Sequence, residues 1–278
     1  MVNKEEIQNQ IIQAVETVRR TNPLAGSITN TVTMNFVANA QLAVGGSAAM
    51  VYLPDEGEFL AKAGGATYIN MGTLLPVYEE TLPHTAKVLY DTGKPWILDP
   101  VAIGIGTLRT QLLRQFKDYK PSVVRGNASE IIALAGLWGL DGGTDVSNVR
   151  GVDSTDSVNA AKAAAVALAK WTGGAVAVSG ETDLITDGNL IVFSQGGSHF
   201  MEKITGFGCS LGGVAAVYAA AASPFIAALT STAVYNLAGN RAENKADAPG
   251  SFQVQFLDEL YKATAEDIAD NPLEIEEV

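Results

Sequence analysis

The sequence predicts an α/β fold with a mostly parallel central sheet, helices on both faces and an antiparallel hairpin at one edge. Short apolar runs that end in Gly, Asp or Asn alternate with longer helical stretches along the 278 residues, as in chains of β–α–β units. The pattern changes after Ser179, where two short runs flank a turn at Asp187-Gly188-Asn189. With 47% hydrophobic and 17% charged residues, the chain can bury a large core.

The elements follow from these patterns in chain order. The predicted strands are Ala66–Met71, Pro95–Leu98, Ser122–Arg125 and Ala175–Ser179, followed by the hairpin strands Asp183–Thr186 and Leu190–Ser194. The predicted helices include Glu5–Arg19, Met34–Val44, Glu130–Leu137 and Ser157–Lys170. An Ala- and Gly-rich apolar stretch begins at Leu211, but Pro224 interrupts it. Since a membrane helix needs roughly 20 strongly apolar residues, we expect two buried helices separated at Pro224.

Composition and charge exclude several classes of function. The net charge is −12, from 18 Lys and Arg against 30 Asp and Glu, so there is no basic surface to neutralise nucleic-acid phosphates. The first residues lack a signal-peptide segment, and the single cysteine fits a reducing, cytoplasmic setting. We therefore expect a cytoplasmic protein that binds neither nucleic acid nor a membrane. The acidic C-terminal tail, residues 266–278, is expected to be solvated or frayed.

Asp99 is the first candidate for chemistry, because it follows the apolar run Trp96–Leu98 directly. A carboxylate at a strand end faces the ligand crevice of a parallel sheet and suits a divalent cation. A turn-forming Asp-Pro pair explains the same residues equally well. The glycines that follow do not form a dinucleotide fingerprint, because Arg109 stands where that motif requires its third glycine.

Arg125 and Glu130 lie on either side of the next strand end. The apolar run ends at Arg125, and Glu130 begins a helix that Asn127 or Ser129 would cap. Arg125 would then lie at the same sheet edge as Asp99 and suits a phosphate oxygen. Glu130 would offer a second oxygen to a metal ion or to metal-bound water. A surface Arg–Glu pair with an ordinary helix cap is equally compatible with this segment.

Ser179 and Gly180 end the last parallel strand. A hydroxyl and a close backbone approach at this position suit a nucleotide, although a plain turn explains the pair more simply. The candidate chemistry so far is an acid, an Arg–Glu pair and a hydroxyl, each at a strand end where parallel sheets bind ligands.

A glycine-rich loop leads into the apolar helix and contains the only cysteine of the chain. The residues Gly206, Phe207, Gly208 and Cys209 would form a helix N-terminus, whose backbone N–H groups bind anions. The same position lowers the pKa of a thiol below its free value of about 8.5. This predicts Cys209 as a base or a polar contact for a substrate hydroxyl, and the alternative is a small buried hydrophobe.

Together these groups favour Mg²⁺-dependent phosphoryl transfer without a P-loop. No Gly-Lys-Ser/Thr follows the glycine loop, so it is not a Walker A motif. No Gly-x-Ser-x-Gly elbow is present for a hydrolase. Two isolated histidines, His84 and His199, do not have the spacing of a zinc site.

Seven segments, in their order and spacing, resemble those of a known family. They are ITNTVTMNFVANAQLAVGGSAAM, INMGTLLP, ILDPVAIGIG, VRGNASEI, VSGETDLITDG, ITGFGCSLGGV and APGSFQVQFLDELY. RGNASEI and TGxGC are the most specific of them. Over nearly its whole length the chain resembles the hydroxyethylthiazole kinases, thiamine-salvage enzymes of the ribokinase-like superfamily. The resemblance implies a ribokinase-like three-layer sandwich that forms a single kinase domain over residues 1–278.

The resemblance also implies an activity, which is ATP-dependent phosphorylation of the hydroxyl of 4-methyl-5-(2-hydroxyethyl)thiazole. By similarity, Met50 and Gly206 would contact the thiazole, with Asn30 as a further candidate for the pocket. Arg125 and Ser179 match the ATP-binding positions of the family.

Further roles follow from the same resemblance. Asp99 and Glu130 match the magnesium-side acids of the family, which implies Mg²⁺ as the cofactor. Cys209 stands where sugar kinases of the superfamily carry an aspartate base. Members of the family are typically trimers with thiazole pockets at subunit interfaces. The resemblance therefore implies a homotrimer in which Met50 and Gly206 of one site belong to different chains.

The chain departs from the family pattern at three places. Phe207 replaces a second Thr in the glycine loop, and it would either narrow the pocket or face the interior. Ser179 replaces a commoner Thr and keeps the hydroxyl. The segment GGSAAMVYL lacks the Pro that usually precedes Met50.

Two other functions are alternatives to the thiazole kinase. Another alcohol kinase of the superfamily, acting on a pyrimidine or a vitamin, would be expected to carry Asp at the position of Cys209. A non-catalytic nucleotide-binding or regulatory module on the same fold is the alternative from a different class. The presence of Asp99, Arg125 and Glu130 together with the glycine loop argues against such a module.

Overall fold

The computed structural model describes residues 3–144 and 157–278. Within these residues the strands are β1 (Leu24–Ile28), β2 (Ser47–Met50), β3 (Ala66–Asn70), β4 (Trp96–Asp99), β5 (Val123–Asn127), β6 (Ala175–Ser179), β7 (Thr182–Thr186), β8 (Leu190–Gln195) and β9 (Leu273–Glu277). The α-helices are α1 (Lys4–Thr21), α2 (Met34–Ala43), α3 (Pro54–Ala63), α4 (Tyr78–Thr92), α5 (Thr107–Phe116), α6 (Ala128–Leu137), α7 (Lys162–Thr172), α8 (Phe207–Ala219), α9 (Pro224–Glu243), α10 (Pro249–Lys262) and α11 (Ala265–Ala269). A short 3₁₀ helix covers His199–Lys203.

These strands form one sheet in the order β2-β1-β3-β4-β5-β6-β7-β8-β9. The strands from β2 to β6 pair in parallel, and those from β6 to β9 pair antiparallel. The predicted sheet, mostly parallel with an antiparallel edge, is therefore confirmed. That edge contains β9 in addition to the predicted hairpin of β7 and β8.

Alternate residues of the central strands pack into two cores, one on each face of the sheet. In β3, Tyr68 belongs to a core built with α1, α2 and α8 to α11, whereas Ile69 belongs to a core built with α4 to α7. In β4, Ile97 belongs to the same core as Tyr68, and Leu98 belongs to the same core as Ile69. Helices thus cover both faces, as predicted for a three-layer sandwich. Burial on both faces also explains why these strands are continuous apolar runs in the sequence.

Most predicted elements agree with the observed ones to within two residues at each end. The exception is the helix predicted over Ser157–Lys170, because α7 begins only at Lys162. Before it, the chain turns, and the N–H of Ala160 donates to Oγ of Ser157 at 3.2 Å. Such local hydrogen bonds of Ser compete with helix formation, so the apolar spacing alone placed the helix start too early.

The C-terminal tail is structured, so the prediction of a frayed end was wrong. Its last segment is β9, which pairs with β8 over Leu273–Glu277. Leu273 and Ile275 pack against the core, and Glu276 forms an ion pair with Lys162 at 2.6 Å. Alternating apolar and acidic residues are the pattern of an edge strand. The prediction of a frayed tail considered only its acidic residues and therefore missed the alternation with apolar residues.

The apolar stretch from Leu211 forms two helices, as predicted. The first, α8, ends at Ala219, and α9 begins at Pro224. Pro is well suited to the first turn of a helix, where its missing N–H would have no intrahelical acceptor. Ser223 caps α9, because its Oγ accepts the N–H of Ile226 at 3.5 Å. Among the helices in the described part of the chain, none is long and apolar enough to cross a membrane.

Candidate active site

The carboxyl ends of four neighbouring strands bring polar residues to one edge of the sheet. Asn70 ends β3 and is in register with Asp99 at the end of β4. Arg125 lies in β5, and Ser179 ends β6. Because these strands are parallel, their carboxyl ends meet on the side where α/β sheets bind ligands. Three of the four residues were predicted at this place, and Asn70 was not.

Arg125 joins the acid of β4 to the hydroxyl of β6. Its Nη1 lies 3.2 Å from Oδ2 of Asp99, and its Nη2 donates to Oγ of Ser179 at 3.0 Å. Burial by itself lowers the pKa of Arg125, but Asp99 and Glu130 outweigh that effect and the pKa is raised. A Cβ on Gly208 would lie 2.7 Å from Nη1, so a side chain there would displace the guanidinium. Arg125 is thus a fixed positive charge beneath the glycine loop.

Asn70 connects Asp99 with Cys209. Its Nδ2 lies 2.8 Å from the hydroxyl of Tyr68, 3.1 Å from Oδ2 of Asp99 and 3.3 Å from Sγ of Cys209. Its Oδ1 accepts a hydrogen bond from Nδ2 of Asn30 at 2.9 Å, and that nitrogen also lies 3.4 Å from Sγ. Two side-chain amides therefore place donors at the sulfur. Asn70 follows an apolar run just as Asp99 does, so the same sequence rule applied to ATYIN would have found it.

Cys209 lies in the first turn of α8 as predicted, but its pKa shifts in the opposite direction. Burial raises the pKa of the thiol, Asp99 raises it further, and Arg125 lowers it only in part. The prediction of a lowered pKa was wrong, because desolvation and a nearby carboxylate outweigh the partial charge of a helix end. Cys209 is therefore a neutral thiol at neutral pH, and its sulfur accepts amide hydrogen bonds.

The glycine loop has the geometry of a helix N-terminus. Gly206 is in the left-handed region with φ of 99°, and a Cβ there would lie 2.8 Å from Cγ2 of Thr33. The N–H groups of Phe207, Gly208 and Cys209 fall in the first turn of α8, where a helix offers them no acceptor of its own. An anion bound at this end would accept them.

The side chain of Phe207 faces the protein interior. It is 6% exposed, and its ring centroid lies 4.9 Å from that of Phe36 and 4.7 Å from that of Phe256. Of the two outcomes expected for this departure from the family pattern, packing into the core is the one observed. The core therefore accommodates this departure from the family pattern.

Glu130 and Asn127 form a reciprocal cap at the start of α6. Oε2 of Glu130 accepts the N–H of Asn127 at 2.8 Å, and Oδ1 of Asn127 accepts the N–H of Glu130 at 2.9 Å. Burial, followed by the charge of Asp99, raises the pKa of Glu130 to about 7, and Arg125 lowers it in part. The ordinary helix cap allowed by the sequence is therefore present. The acid nevertheless interacts electrostatically with both Asp99 and Arg125.

The carboxylates of Asp99 and Glu130 are already engaged by protein donors. Oδ2 of Asp99 has three side-chain partners, and its Oδ1 accepts the N–H of Val101 at 3.1 Å. Glu130 accepts N–H groups of Asn127 and Ala102. Across residues 3–144 and 157–278, no three His, Cys, Asp or Glu side chains form a metal cage. Carboxylate oxygens are ligands that suit Mg²⁺, so the pair has the right chemistry for this ion, while its oxygens already accept hydrogen bonds from the protein.

Two of the predicted thiazole contacts, Asn30 and Met50, lie at different distances from Cys209 in the fold. Asn30 belongs to the hydrogen-bonded cluster around Cys209. Met50 ends β2, where it is in register with Ser27 of β1, and Ser27 is in register with Tyr68 of β3. Two strand spacings place the backbone of Met50 about 10 Å from that of Tyr68. The cluster around Cys209 therefore includes Asn30 but is not hydrogen-bonded to Met50.

A cavity of about 950 Å³ opens beside Arg125, on the antiparallel side of the sheet. Its wall includes Ser179, Asp183, His199 and Asn236. Its volume is at the upper end of the range of small-molecule sites. Arg125 thus separates this open cavity from the buried cluster around Cys209.

The sequence model of the hydroxyethylthiazole kinase family matches residues 15–266. The chain belongs to this family. Its relatives include the hydroxyethylthiazole kinase of Bifidobacterium longum, which is 51% identical over 96% of this chain and 91% of the relative. That of Cereibacter sphaeroides is 44% identical over 91% of this chain and 93% of the relative. The family predicted from the seven segments is therefore confirmed.

Solved structures agree with this family. The hydroxyethylthiazole kinase protein from Pyrococcus horikoshii has a TM-score of 0.84 and 30% identity, covering 96% of this chain and 98% of that chain. The pyridoxal kinase from Staphylococcus aureus in complex with ADP has a TM-score of 0.59 and 17% identity, covering 92% and 99%. The second likeness concerns the fold alone, and together the two confirm the ribokinase-like architecture.

Two residues of the cavity wall, Asp183 and Asn236, were not predicted as site residues from the sequence. Asp183 lies in the segment VSGETDLITDG but was predicted only as the start of a hairpin strand. Asn236 lies in the long apolar helix α9 and is 5% exposed. An amide buried in an apolar helix is the signal that would have identified it, because burial of an unpaired polar group is costly.

Proposed function

We propose that this chain transfers the γ-phosphoryl group of ATP to the hydroxyl of 4-methyl-5-(2-hydroxyethyl)thiazole, in thiamine biosynthesis or salvage. The observation that carries the proposal is the position of Arg125, which contacts Asp99 and Ser179 beneath the glycine loop. A fixed positive charge there lies between a cavity large enough for a nucleotide and a buried cluster that ends at Cys209. The names of relatives that are 44% to 51% identical support the choice of substrate.

The nucleotide binds in the cavity with its phosphates directed toward Arg125. The guanidinium fork and the hydroxyl of Ser179 donate to phosphate oxygens, which is the geometry in which Arg binds phosphate best. Because Arg125 is held by Asp99, its position does not depend on the nucleotide. The charge that builds up on the phosphates during transfer therefore meets a preorganised cation.

The thiazole alcohol binds on the other side of Arg125, near Gly206 and Asn30. Its hydroxyl oxygen forms a bond to the γ-phosphorus while the bond from that phosphorus to the bridging β–γ oxygen breaks, which releases ADP. The N–H groups at the start of α8, from Phe207 to Cys209, donate to the oxygens of the transferred group. Such donors stabilise the transition state because they need no reorganisation as charge develops.

Cys209 contacts the reacting hydroxyl and orients it. Its raised pKa keeps the thiol protonated at neutral pH, so little thiolate is present to act as a base. The transition state of phosphoryl transfer is loose and needs little help in removing the proton of the nucleophile. The proton of the hydroxyl therefore leaves to an oxygen of the transferred phosphoryl group.

Asp99 and Glu130 would hold Mg²⁺ at this edge of the sheet. When bound, the ion neutralises charge on the β- and γ-phosphates. The protein donors that engage both carboxylates support this role, because they fix the acceptors in place. Glu130 accepts from the same helix start that it caps, so the acid and α6 are positioned together.

The proposal includes a cytoplasmic homotrimer whose thiazole sites lie between chains. Met50 of one chain would contact the thiazole held by Gly206 of another. The distance of Met50 from the Cys209 cluster along the sheet of its own chain supports a contact across an interface. Residues 1–278 act as a single kinase domain in this proposal, and the single cysteine fits the cytoplasm.

Product analysis tests the proposed reaction. Purified protein, Mg-ATP and the thiazole alcohol should yield ADP and a thiazole phosphate in equal amounts, with phosphorus NMR locating the phosphate on the side-chain oxygen. The pyrimidine alcohol used in the same pathway serves as the matched acceptor and should remain unchanged. Turnover with the pyrimidine alcohol only, or with neither acceptor, would contradict the proposal.

A further inference from the structure

Two segments contribute to the wall of the cavity. One is the turn after β6, which carries Ser179 and Gly180, and the other is the loop Gly196–Ser198 after β8. Both lie on the antiparallel side of Arg125. A ligand that is to contact both segments is recognised only if the distance between them is fixed.

Asn236 of α9 is hydrogen-bonded to both segments. Its Nδ2 donates to Oδ2 of Asp183 at 2.9 Å, and Oδ1 of Asp183 accepts the N–H of Gly180 at 3.0 Å. The backbone carbonyl of Asn236 accepts the N–H of Gly197 at 3.0 Å. A single residue of α9 thus ties the turn and the loop to the same point of the fold.

The network continues to the turn before β9, where Asn271 lies. Nδ2 of Asn236 also donates to Oγ of Ser194 at 3.0 Å, and Nδ2 of Asn271 donates to the same oxygen at 3.2 Å. Asn271 in addition donates to the carbonyl of Gln195 at 3.1 Å. The end of β8, which leads into the loop, is therefore held from two sides. The bonds from Asn236 to Asp183 and Ser194 satisfy its buried amide. Without such partners, Asn is unfavourable in the interior of a helix.

Asp183 is a carboxylate in the wall of a cavity that is to hold phosphates. Both of its oxygens are engaged, one by Gly180 and the other by Asn236. The negative charge is therefore directed into the wall, and Arg125 lies close enough to interact with it. The arrangement explains how an acid can be present without repelling the nucleotide.

We propose that Asp183 and Asn236 are positioning residues for the nucleotide, which hold the turn at Gly180 and the loop at Gly197 at the spacing that ATP requires. The inference rests on the proposed function, because it takes ATP as the ligand of the cavity. It assigns no proton transfer and no contact with the thiazole to either residue. Loss of the pair should therefore weaken binding of ATP and leave binding of the thiazole unchanged.

An exchange of the two side chains tests the pairing. Asn236→Asp places two carboxylates 2.9 Å apart, and Asp183→Asn places two amides there. Each single variant should raise the Kd for ATP, measured by calorimetry at about pH 8, by about 10-fold or more. The double variant restores one donor and one acceptor, so its Kd should return to within about threefold of the wild-type value. The KM for the thiazole should change less than twofold in all three, by about the scatter of such measurements.

The matched control is Asn240→Asp, the same change one turn further along α9 at an exposed position, which should bind ATP as the wild type does. If Asn236→Asp does not fold, the comparison of Asp183→Asn with the double variant decides, because the double variant should bind ATP more tightly. The inference would be overturned if the double variant bound ATP no more tightly than the single variants. It would also be overturned if the KM for the thiazole rose together with the Kd for ATP. If the wild-type protein bound ATP but did not phosphorylate the thiazole, only the proposed function would be overturned. The exchange of the two side chains would still be tested, because its result is the Kd for ATP.

Discussion

The two ends of the site, on either side of Arg125, are built in different ways. At the parallel end, Asp99 is fully buried, and both of its oxygens have protein partners. At the antiparallel end, a cavity of about 950 Å³ is open beside Asp183. The first end is a largely buried polar cluster around Cys209, and the second is a space whose wall is held by the hydrogen bonds of Asp183 and Asn236.

The difference separates two kinds of constraint. Polar groups in a closed cluster strengthen one another because the surroundings have a low dielectric constant, but each also leaves a costly orphan when its partner is removed. At the antiparallel end Asp183 is only partly buried, so water can reach its carboxylate and replace a lost partner there. Substitutions at the parallel end should therefore damage stability and chemistry together, whereas those at the antiparallel end should damage binding.

The largest effect is expected in the glycine loop, at the parallel end. Gly206→Asp should lower turnover by at least about 1,000-fold, because it adds a negative charge where, in the proposed reaction, the transferred phosphoryl group would accept N–H donors. The backbone strain of a side chain at φ of 99° is shared by Gly206→Ala, which serves as the matched control. Steady-state assays of both variants should show the Asp variant at least about 100-fold slower than the Ala variant. Equal rates in the two variants would remove the anion role of the loop.

The next effect compares two isosteric changes, one at each end. Asp99→Asn leaves the guanidinium of Arg125 buried without its acid, and loss of one partner of a buried pair costs about 3–5 kcal/mol of stability. In the described part of the chain, Asp183 forms no ion pair with a buried cation, so Asp183→Asn leaves no buried charge unpaired. The free energy of unfolding of this variant should stay within about 1 kcal/mol of the wild-type value at neutral pH. Denaturant titration of the two variants measures this contrast. Similar losses in both would mean that the two ends do not differ as described.

A smaller effect is expected for Cys209→Ala. Removal of a general base costs about 100-fold or more in rate, whereas loss of a contact that only orients the hydroxyl should cost about 10-fold. The raised pKa of the thiol favours the smaller loss. The pH dependence of kcat offers a second readout, because a thiolate base would make the rate of the wild type rise with pH and that of the variant stay level.

The smallest effect concerns pH at the antiparallel end. Burial raises the pKa of Asp183 to about 6, although Asn236, Gly180 and Arg125 each lower it in part. Its unfolded value is about 3.9, so the folded state binds more protons between these two values. The stabilisation by this proton is present below about pH 4 and is lost as pH rises through about 6. The free energy of unfolding of the wild type minus that of Asp183→Asn should therefore fall over this interval, and a flat or rising difference would contradict the assignment.

The sequence predicted the parallel end better than the antiparallel end for a physical reason. A buried parallel strand is a continuous apolar run, so the polar residue that ends it, such as Asp99, marks the ligand side directly. The positions of Arg125 and Ser179 followed from the same rule. Glu130 could be placed at a helix start but not beside Asp99, because that proximity depends on how two neighbouring strands are aligned.

The antiparallel end depends on contacts between residues far apart in the sequence. Asn236 meets Asp183 across 53 positions, and Asn271 meets Ser194 across 77, and no local pattern reports such pairs. The tail was misjudged because its charge was counted and its alternation was not. The pKa of Cys209 was misjudged because helix position is visible in the sequence, whereas burial beside Asp99 is not.

The specificity of the acceptor site tests the central claim most directly. The ratio of kcat/KM for the thiazole alcohol to that for the pyrimidine alcohol, measured with Mg-ATP in excess, should be at least about 100. A ratio of this size is expected if the cluster around Cys209 receives the thiazole hydroxyl. A ratio near one, or one that favours the pyrimidine alcohol, would contradict the assignment of this chain as a thiazole-phosphorylating enzyme.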